Sequence, residues 1–349
     1  MLGLSVPAIR DRGEAVRTFI VANVARHPAD IVRRTAEKFG CTRQAVHRHI
    51  QRLAREGALV ESGKTRSRTY ALAELTSWSQ AFAVASCGDE GDIWLRYVRQ
   101  LLSPLASNVM AIWQYGFTEM FNNALDHAQA RTITVDFTKT AAGSVVIMRD
   151  DGVGIFRKIQ AALGLLDERH AVLELAKGKF TTDPQRHSGE GIFFSSRMFD
   201  QFSITSGSVN FSHQAKAPEA WILEAEESRG TTVRMELGNH TARSINKVFK
   251  QFTTGDDFGF TKTVVPVRLA QYGDDNLISR SQAKRLSVRF EKFRTVVLDF
   301  KGVELIGQAF ADEVFRVFAL AHPEVELIPL NANKEVGQMI AHVLGQTRP

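Results

Sequence analysis

The stretch Glu119-Met-Phe-Asn-Asn-Ala-Leu-Asp-His127 carries residue types that suit a metal ion and a water molecule better than they suit an ordinary helix surface. On a helix, at about 100° per residue, Glu119, Asn123 and Asp126 fall on one side, with Asn122 at its edge. Asparagine is a poor helix former, and solvated helix faces favour Lys, Glu and Arg. The pattern therefore predicts a functional polar face. The opposite, apolar face would pack against a sheet: Phe117, Phe121, Ala124 and Ala128.

Two glycine-rich stretches follow this helix. The apolar run Ser144–Met148 predicts a strand that ends in the turn Asp150-Asp-Gly-Val-Gly154. Further along, Ser188-Gly-Glu-Gly-Ile192 leads into an apolar segment and the next helix. Glycine allows close approach of the backbone to a ligand, and N–H groups at a helix start suit phosphate. No P-loop motif occurs, and the glycines do not fit a Rossmann dinucleotide motif.

In this order and spacing, these stretches resemble the N, G1 and G2 boxes of the GHKL ATPase superfamily. That superfamily includes gyrase B, MutL-type mismatch-repair proteins, heat-shock chaperones, histidine kinases and anti-sigma-factor kinases. Arg229-Gly-Thr-Thr232 resembles the Gly-Thr strand that closes the adenine pocket in the same superfamily. The resemblance covers roughly residues 90–240. It implies a central Bergerat α/β sandwich that binds ATP and Mg²⁺.

The resemblance also implies a role for each matched residue. Asn123 would bind Mg²⁺ through its side-chain oxygen, Glu119 would orient and deprotonate an attacking water, and Asp150 would accept a hydrogen bond from the adenine amino group. His127 has either a ligand-contact role or a packing role. Glu119 is thus the candidate catalytic residue and Asn123 the candidate metal ligand. The implied ATP-binding residues are Asn123, Asp126, His127, Asp150, Gly152, Gly154, Ile155, Lys177, Lys179, Ser188, Gly189, Glu190, Gly191, Ile192 and Thr231.

The segment between the second and third stretches corresponds, by the same resemblance, to a mobile ATP lid. Its basic residues Lys177, Lys179 and Arg186 could contact the γ-phosphate, although loops commonly carry basic residues in any case.

The composition fits two or three domains and excludes several classes of protein. The 349 residues are 44% apolar and 23% charged, and no apolar run approaches the length of a membrane span. The first residues lack the features of a signal peptide. Cys41 and Cys87 are too few for a disulfide framework or a zinc cluster, so we expect a cytoplasmic protein.

The N-terminal part resembles a winged helix-turn-helix. Residues 1–70 contain 14 Lys and Arg against 6 Asp and Glu, so this part has a net charge of +8, whereas the whole chain has a net charge of +6. We expect helices near 14–25, 29–39 and 43–56, with Thr42 as the N-cap of the third, followed by two short strands around a basic wing. Arginine and glutamine read base edges in the major groove, so duplex DNA is the expected partner; a wing used for protein contacts is the alternative. The candidate DNA-binding residues are Arg43, Gln44, His47, Arg48, Gln51, Lys64, Arg66 and Arg68.

The last hundred residues alternate between strands and helices, which predicts βαβ units and a small mixed or parallel sheet. We expect strands at 263–269, 295–300 and 325–329, and helices at 279–292, 308–321 and 334–344, with Pro266 favouring an edge strand. The sequence Val296–Glu313 resembles a STAS domain, and is closer to a STAS-like module often found after GHKL domains in bacterial proteins. Gly307-Gln-Ala309 replaces the phosphorylatable serine of that family, which argues against a serine switch at this position.

The predicted fold class is thus multidomain α/β. Residues 1–75 would form a winged helix, 76–245 the ATP-binding domain and 255–349 the STAS-like domain. The predicted function is that of an ATP-binding, slowly ATP-hydrolysing, DNA-binding regulator, and a homodimer is expected. The main alternative is an anti-sigma-type serine/threonine kinase with a protein substrate, because Glu-x-x-x-Asn-Ala-x-x-His matches that group. A topoisomerase- or MutL-like clamp and a non-enzymatic scaffold are further alternatives.

Overall fold

The computed structural model describes residues 9–181, 188–215, 217–253, 259–271 and 276–345. Within these ranges the side chains of residues 9–11, Arg66 and 217–224 are not described. No helix in the described ranges is both long and apolar enough to cross a membrane.

The N-terminal part is a three-helix unit with a two-stranded hairpin. The helices are α1 (Ile9–Asn23), α2 (Ile31–Phe39) and α3 (Arg43–Arg55), and the antiparallel strands are β1 (Leu59–Ser62) and β2 (Thr69–Leu72). Gly40 ends α2 in the left-handed conformation, and the Thr42 hydroxyl accepts a hydrogen bond from the Ala45 N–H at 3.2 Å. Both signals act as the sequence predicts. The helix α1 begins earlier than the expected start near residue 14.

The central part is built on an antiparallel sheet of five strands in the order β3-β4-β5-β7-β6. Its strands are β3 (Thr76–Ala83), β4 (Thr132–Lys139), β5 (Gly143–Asp150), β6 (Gln201–Gln214) and β7 (Ala217–Gly238). The sequence did not distinguish between a helix and a strand for residues 72–85. In the structure most of these residues form β3, which is an edge strand of the sheet. Alternate residues of β4, such as Ile133 and Val135, are buried, which is typical of a sheet with one covered face.

Helices cover that face of the sheet. A helix runs through α4 (Glu90–Ile93), a π-helical turn (Trp94–Val98) and α5 (Arg99–Leu102), followed by the long helix α6 (Ser107–His127). Three further helices follow: α7 (Ile155–Leu163), α8 (Glu168–Lys177) and α9 (Gly191–Met198). Phe117, Phe121 and Ala124 of α6 are buried as the sequence predicts, which leaves the polar side of α6 to line a cavity.

The C-terminal part contains a parallel sheet of three strands in the order β10-β9-β8. After α10 (Ile245–Phe249) come β8 (Lys262–Pro266), α11 (Arg280–Ser287), β9 (Thr295–Asp299), α12 (Gln308–Asp312), a π-helical turn (Glu313–Phe318), α13 (Ala319–Ala321), β10 (Glu326–Leu330) and α14 (Lys334–Gly345). Pro266 lies on an edge strand, as expected. The predicted helix 279–292 ends at Ser287, because Arg289 adopts the left-handed conformation with φ of 66°.

The central and C-terminal parts share one continuous hydrophobic core, whereas the N-terminal unit has its own. At the shared core, the Phe260 ring lies 4.4 Å from that of Phe193 in α9 and 5.3 Å from that of Phe293, measured between centroids. The N-terminal unit is linked to the sheet edge by residues 73–75, between β2 and β3, and Ala141, between β4 and β5, packs against its core. The two ends of the chain are therefore attached to the centre very differently.

Candidate functional site

A cavity of about 330 Å³ opens between α6, the sheet, α7 and the start of α9. Most of the residues that the sequence assigns to a ligand line it, together with apolar residues that it does not single out. The lining residues include Glu119, Asn122, Asn123, His127, Asp150, Gly154, Ile155, Lys158, Phe180, Thr181, Ser188, Gly189, Gly191, Ile192 and Thr231, and the apolar residues Met148, Ile159, Leu175, Ile204 and Val233.

Asp150 lines the cavity at the C-terminal end of β5. Its Oδ1 accepts hydrogen bonds from the Gly152 N–H at 2.9 Å and the Thr231 N–H at 3.2 Å. Burial raises the pKa of the Asp150 carboxyl, and these two hydrogen bonds oppose that shift. The Thr231 hydroxyl in turn accepts from the Ile155 N–H at 3.1 Å. Hydrogen bonds thus join the turn Asp150–Gly154 and the following Ile155 to the strand that carries Thr231.

Glycine at 152 and 154 allows this unit to pack closely. A Cβ at Gly152 would lie 2.1 Å from the Ala128 carbonyl oxygen, at the end of α6. Gly154 has a φ of +88°, and a Cβ there would lie 2.6 Å from the Ser206 hydroxyl. Gly152 does not line the cavity. It allows the turn to pack closely against the end of α6.

The polar side of α6 contributes Glu119, Asn122, Asn123 and His127 to the cavity. The carboxylate of Glu119 lies against the first residue of α9, because a Cβ on Gly191 would be only 2.0 Å from Glu119 Oε2. Asp126, also predicted to contact a ligand, is exposed and does not line the cavity.

The glycine-flanked loop brings Ser188, Gly189, Gly191 and Ile192 to the cavity and leaves Glu190 outside it. Gly189 has a φ of +71°, and a Cβ there would lie 2.3 Å from the Phe180 carbonyl oxygen. Burial raises the pKa of Glu190, and the nearby Lys179 charge opposes the shift. Close backbone packing here requires glycine, and the loop positions the start of α9 beside Glu119.

Lys158 is a lining residue that sequence reasoning missed. It lies on α7, and its amine donates a hydrogen bond to the His127 carbonyl oxygen at 2.6 Å. Burial lowers its pKa. Among the described residues, Lys158 is the only Lys or Arg side chain that lines the cavity. The sequence signal that could have identified Lys158 is its position one helical turn after Gly154, on the same helix as Ile155.

The structure does not bring Lys177 and Lys179, two of the residues expected to bind ATP, to the cavity. Lys177 is fully buried and donates to Glu174 Oε1 at 2.6 Å and to the Val288 carbonyl at 2.9 Å. Lys179 donates to the Lys292 carbonyl at 3.0 Å. Both amines face the C-terminal part because that part packs on this segment. Arg186 lies outside the described residues.

The cavity suits a nucleotide with a magnesium ion. Asp150 supplies an acceptor in a cavity that apolar side chains also line, which fits a base, and Lys158 with the glycine loop fits phosphate. No cluster of three or more His, Cys, Asp or Glu in the described part of the chain could hold a metal ion by itself. An ion bound at Asn123 would therefore need ligand phosphates and water to complete its shell, which is usual for Mg²⁺.

Four of the eight candidate DNA-binding residues lie on the exposed face of α3. Arg43, Gln44, Arg48 and Gln51 are exposed on α3, opposite the buried Val46, Ile50 and Leu53. His47 is half-buried, and its Nδ1 lies 3.5 Å from the Tyr70 hydroxyl. In the wing, Lys64 is exposed and Arg68 forms an ion pair with Glu61 at 2.9 Å. The side chain of Arg66 lies outside the described part.

Two segments of the chain match known family models. Residues 92–210 match a histidine kinase-like ATPase domain, and residues 282–336 match a STAS-like domain of unknown function (DUF4325). The chain therefore contains an ATPase domain of the GHKL type, which implies binding of ATP, usually with Mg²⁺, and a STAS-like domain. No curated protein matches the chain. The helices α1–α3 and the residue Thr231 lie outside both matched segments.

Proposed function

We propose that this protein binds Mg·ATP in the central cavity, hydrolyses it slowly and uses the nucleotide state to regulate DNA binding by its N-terminal unit. The observation that carries the nucleotide part is the convergence of Glu119, Asn123 and Asp150 on one cavity, although 31 positions separate the first from the last. The three side chains come from two elements and face the same space. Proposed domain limits are 1–75, 76–245 and 255–349.

Each residue then has a defined task. Asp150 would accept a hydrogen bond from the amino group of the base, and the Asn123 side-chain oxygen would hold a magnesium ion, which supplies positive charge to the phosphates. Glu119 orients a water for attack on the γ-phosphate, and phosphoryl transfer needs mainly such positioning and charge stabilisation. Lys158 neutralises phosphate charge. Burial and the charges of Glu119 and Glu190 raise the pKa of the neighbouring Tyr115, which therefore stays protonated beside the carboxylate.

The exposed basic surface of α3 and the wing supports the DNA part of the proposal. Phosphate neutralisation by this charge would give salt-dependent affinity for any duplex, and α3 would read sequence in the major groove. A homodimer would present two such helices. The short link at 73–75 makes coupling feasible, because Leu75 N–H donates to the Lys139 carbonyl at 2.8 Å and so ties the link to the sheet. ATP binding would then shift the population of DNA-competent arrangements.

An anti-sigma-type protein kinase is the second candidate. The spacing of Glu119, Asn123 and His127 on α6 and the presence of a STAS-like domain in the same chain favour it. In this domain, however, Gly307 starts α12 where that family carries its serine region, and Gly307 packs against Ile278, with no hydroxyl at 307–309. A kinase of this kind would have to phosphorylate another protein or another site.

The decisive experiment is a titration of labelled duplex DNA with the full-length protein, with and without Mg²⁺ and a non-hydrolysable ATP analogue. We expect affinity to fall steeply with salt and to change when the analogue is present, and DNA must then change analogue affinity by the same factor. Superimposable titrations would reject nucleotide control of DNA binding. Measuring phosphate release and phosphoprotein formation with ATP in parallel separates hydrolysis from kinase activity.

Two sets of substitutions sharpen this experiment. Alanine at Arg48 and Gln51 should reduce discrimination between DNA sequences, because these side chains lie on the exposed face of α3. Alanine at Lys64, Arg66 and Arg68 should weaken binding to all sequences similarly and flatten the salt dependence. If both sets behave alike, the distinction between reading helix and phosphate-binding wing is wrong.

A further inference from the structure

The segment Leu175–Thr181 forms one wall of the cavity, and the C-terminal part holds it in place. Leu175, Phe180 and Thr181 line the cavity, whereas the amines of Lys177 and Lys179, between them, donate to the Val288 and Lys292 carbonyls of the C-terminal part. This segment links α8 to the glycine loop that carries Ser188. Its position therefore affects both the wall itself and the loop that packs on it.

A buried ion network forms the centre of this contact. Glu174 accepts from Lys177 Nζ at 2.6 Å through one oxygen and from Arg289 Nη1 at 2.8 Å through the other. The side chains of Glu174, Lys177 and Arg289 are 3%, 0% and 8% exposed, so water screens the network little. The second arm of Arg289 donates to the Gly178 carbonyl at 2.5 Å. One guanidinium thus fixes both α8 and the backbone after it.

Further contacts hold the same segment along its length. The buried Thr263 hydroxyl, on β8, donates to the Lys177 carbonyl at 2.8 Å. The guanidinium of Arg289 lies 5.2 Å from the centre of the Phe180 ring, which is itself a cavity residue. Gly178, at a φ of +80°, leaves room for Phe260, since a Cβ there would lie 2.7 Å from that ring. These contacts connect the C-terminal part to Phe180 and so to the surface of the cavity.

We infer that the STAS-like domain positions the nucleotide cavity of its own chain, through Arg289 acting on Glu174, Gly178 and Phe180. This inference rests on the proposed nucleotide function and adds a regulatory surface to it. Arg289 is a positioning residue, because it acts through the segment Leu175–Thr181. A partner that loosens the STAS-like domain would lower nucleotide affinity, and bound nucleotide would tighten the domain contact by the same factor.

Arg289→Gln in the full-length protein tests this inference by removing one buried positive charge and both of its hydrogen bonds. The substitution leaves Glu174 and Lys177 as a neutral buried pair, so the protein should still fold. We expect affinity for Mg²⁺ and a non-hydrolysable ATP analogue, measured by calorimetry, to fall about 5-fold or more, within the usual range of coupling between sites. Amide hydrogen exchange at 175–181 should become faster without nucleotide.

Two further variants make the result specific. Thr263→Val removes one hydrogen bond to the segment with almost no change in shape, and it should lower affinity in the same direction by a smaller factor; it also replaces Arg289→Gln if that variant fails to fold. Arg316→Gln removes an ion pair with Asp312 inside the C-terminal part, away from the segment, and should leave affinity unchanged.

The outcomes separate the inference from the proposed function. Wild-type affinity in both Arg289→Gln and Thr263→Val would overturn the positioning role. If the wild-type protein binds no nucleotide, the proposed function fails, and hydrogen exchange then decides the positioning role alone. Faster exchange at 175–181 in Arg289→Gln would support it, and unchanged exchange would reject it.

Discussion

The two sides of the cavity are built in different ways. One side, formed by α6, β5 and β7, carries Asn123, Asp150 and Thr231 and is held together by hydrogen bonds within the central sheet and its turns. The other side, Leu175–Thr181, depends on residues more than a hundred positions away, since Arg289 and Glu174 are separated by 115. The first side should bind nucleotide through direct contacts, whereas the second should adjust that binding through tertiary contacts.

The largest expected effect concerns the first side. Glu119→Ala should leave ATP binding nearly unchanged and reduce hydrolysis by about 10²–10⁴-fold, because loss of a general base affects the attacking water and not the bound nucleotide. Phosphate release at saturating ATP measures the rate, and calorimetry with an analogue measures the affinity. Glu190→Ala is the control, because this glutamate is near the same loop but does not line the cavity. Unchanged turnover in Glu119→Ala would exclude it as the base.

Asp150→Asn should have the next largest effect, on binding itself. The asparagine oxygen can keep the hydrogen bonds from Gly152 and Thr231, so the fold should tolerate the change. Its amide, however, would place a donor beside the donor of the adenine amino group, at a cost of about 1–3 kcal/mol. The control is Asp151→Asn, an exposed neighbour whose Oδ1 accepts from two backbone N–H groups outside the cavity. Equal ATP affinity in wild type and Asp150→Asn would remove Asp150 from the base-binding role.

These differences also explain how much the sequence could predict. The positions of Asn123, Asp150 and Gly191 at the cavity follow from short motifs, because a helix face, a strand end and a glycine turn are local features. The caps at Gly40 and Thr42 are local in the same sense. Lys177 lies away from the cavity because its amine is held by Glu174 and by the distant C-terminal backbone, which no local motif indicates. The helix end at Ser287 was missed because it accompanies the left-handed Arg289, whose guanidinium is engaged by the same distant partners.

Lys158 lies between these two cases. It lies on α7, which follows the turn Asp150–Gly154, yet no motif identifies a single lysine on an amphipathic helix. Lys158→Met should weaken binding of ATP and ADP several-fold and leave adenosine affinity nearly unchanged, because the amine would pair with phosphate charge. Competition between the three ligands for a fluorescent nucleotide measures the difference. A similar loss for all three would show that Lys158 acts through its hydrogen bond to His127 and not on phosphate.

Lys179→Ala should have the smallest effect, and it separates the two sides most directly. By the sequence resemblance Lys179 could contact the γ-phosphate, and in that case its loss should weaken ATP binding much more than ADP binding. The structure instead places its amine on the Lys292 carbonyl, 5.0 Å from the Phe293 ring centre. A contact of this kind steadies the segment before the glycine loop and cannot distinguish the two nucleotides. We therefore expect both affinities to fall by the same small factor, with their ratio unchanged.

Lys292→Ala is the matched control, because the Lys292 carbonyl remains in place when its side chain is removed. A changed ATP-to-ADP ratio in Lys179→Ala alone would mean that the segment leaves the C-terminal part when ATP binds. The second side of the cavity would then contact nucleotide directly, as the first does.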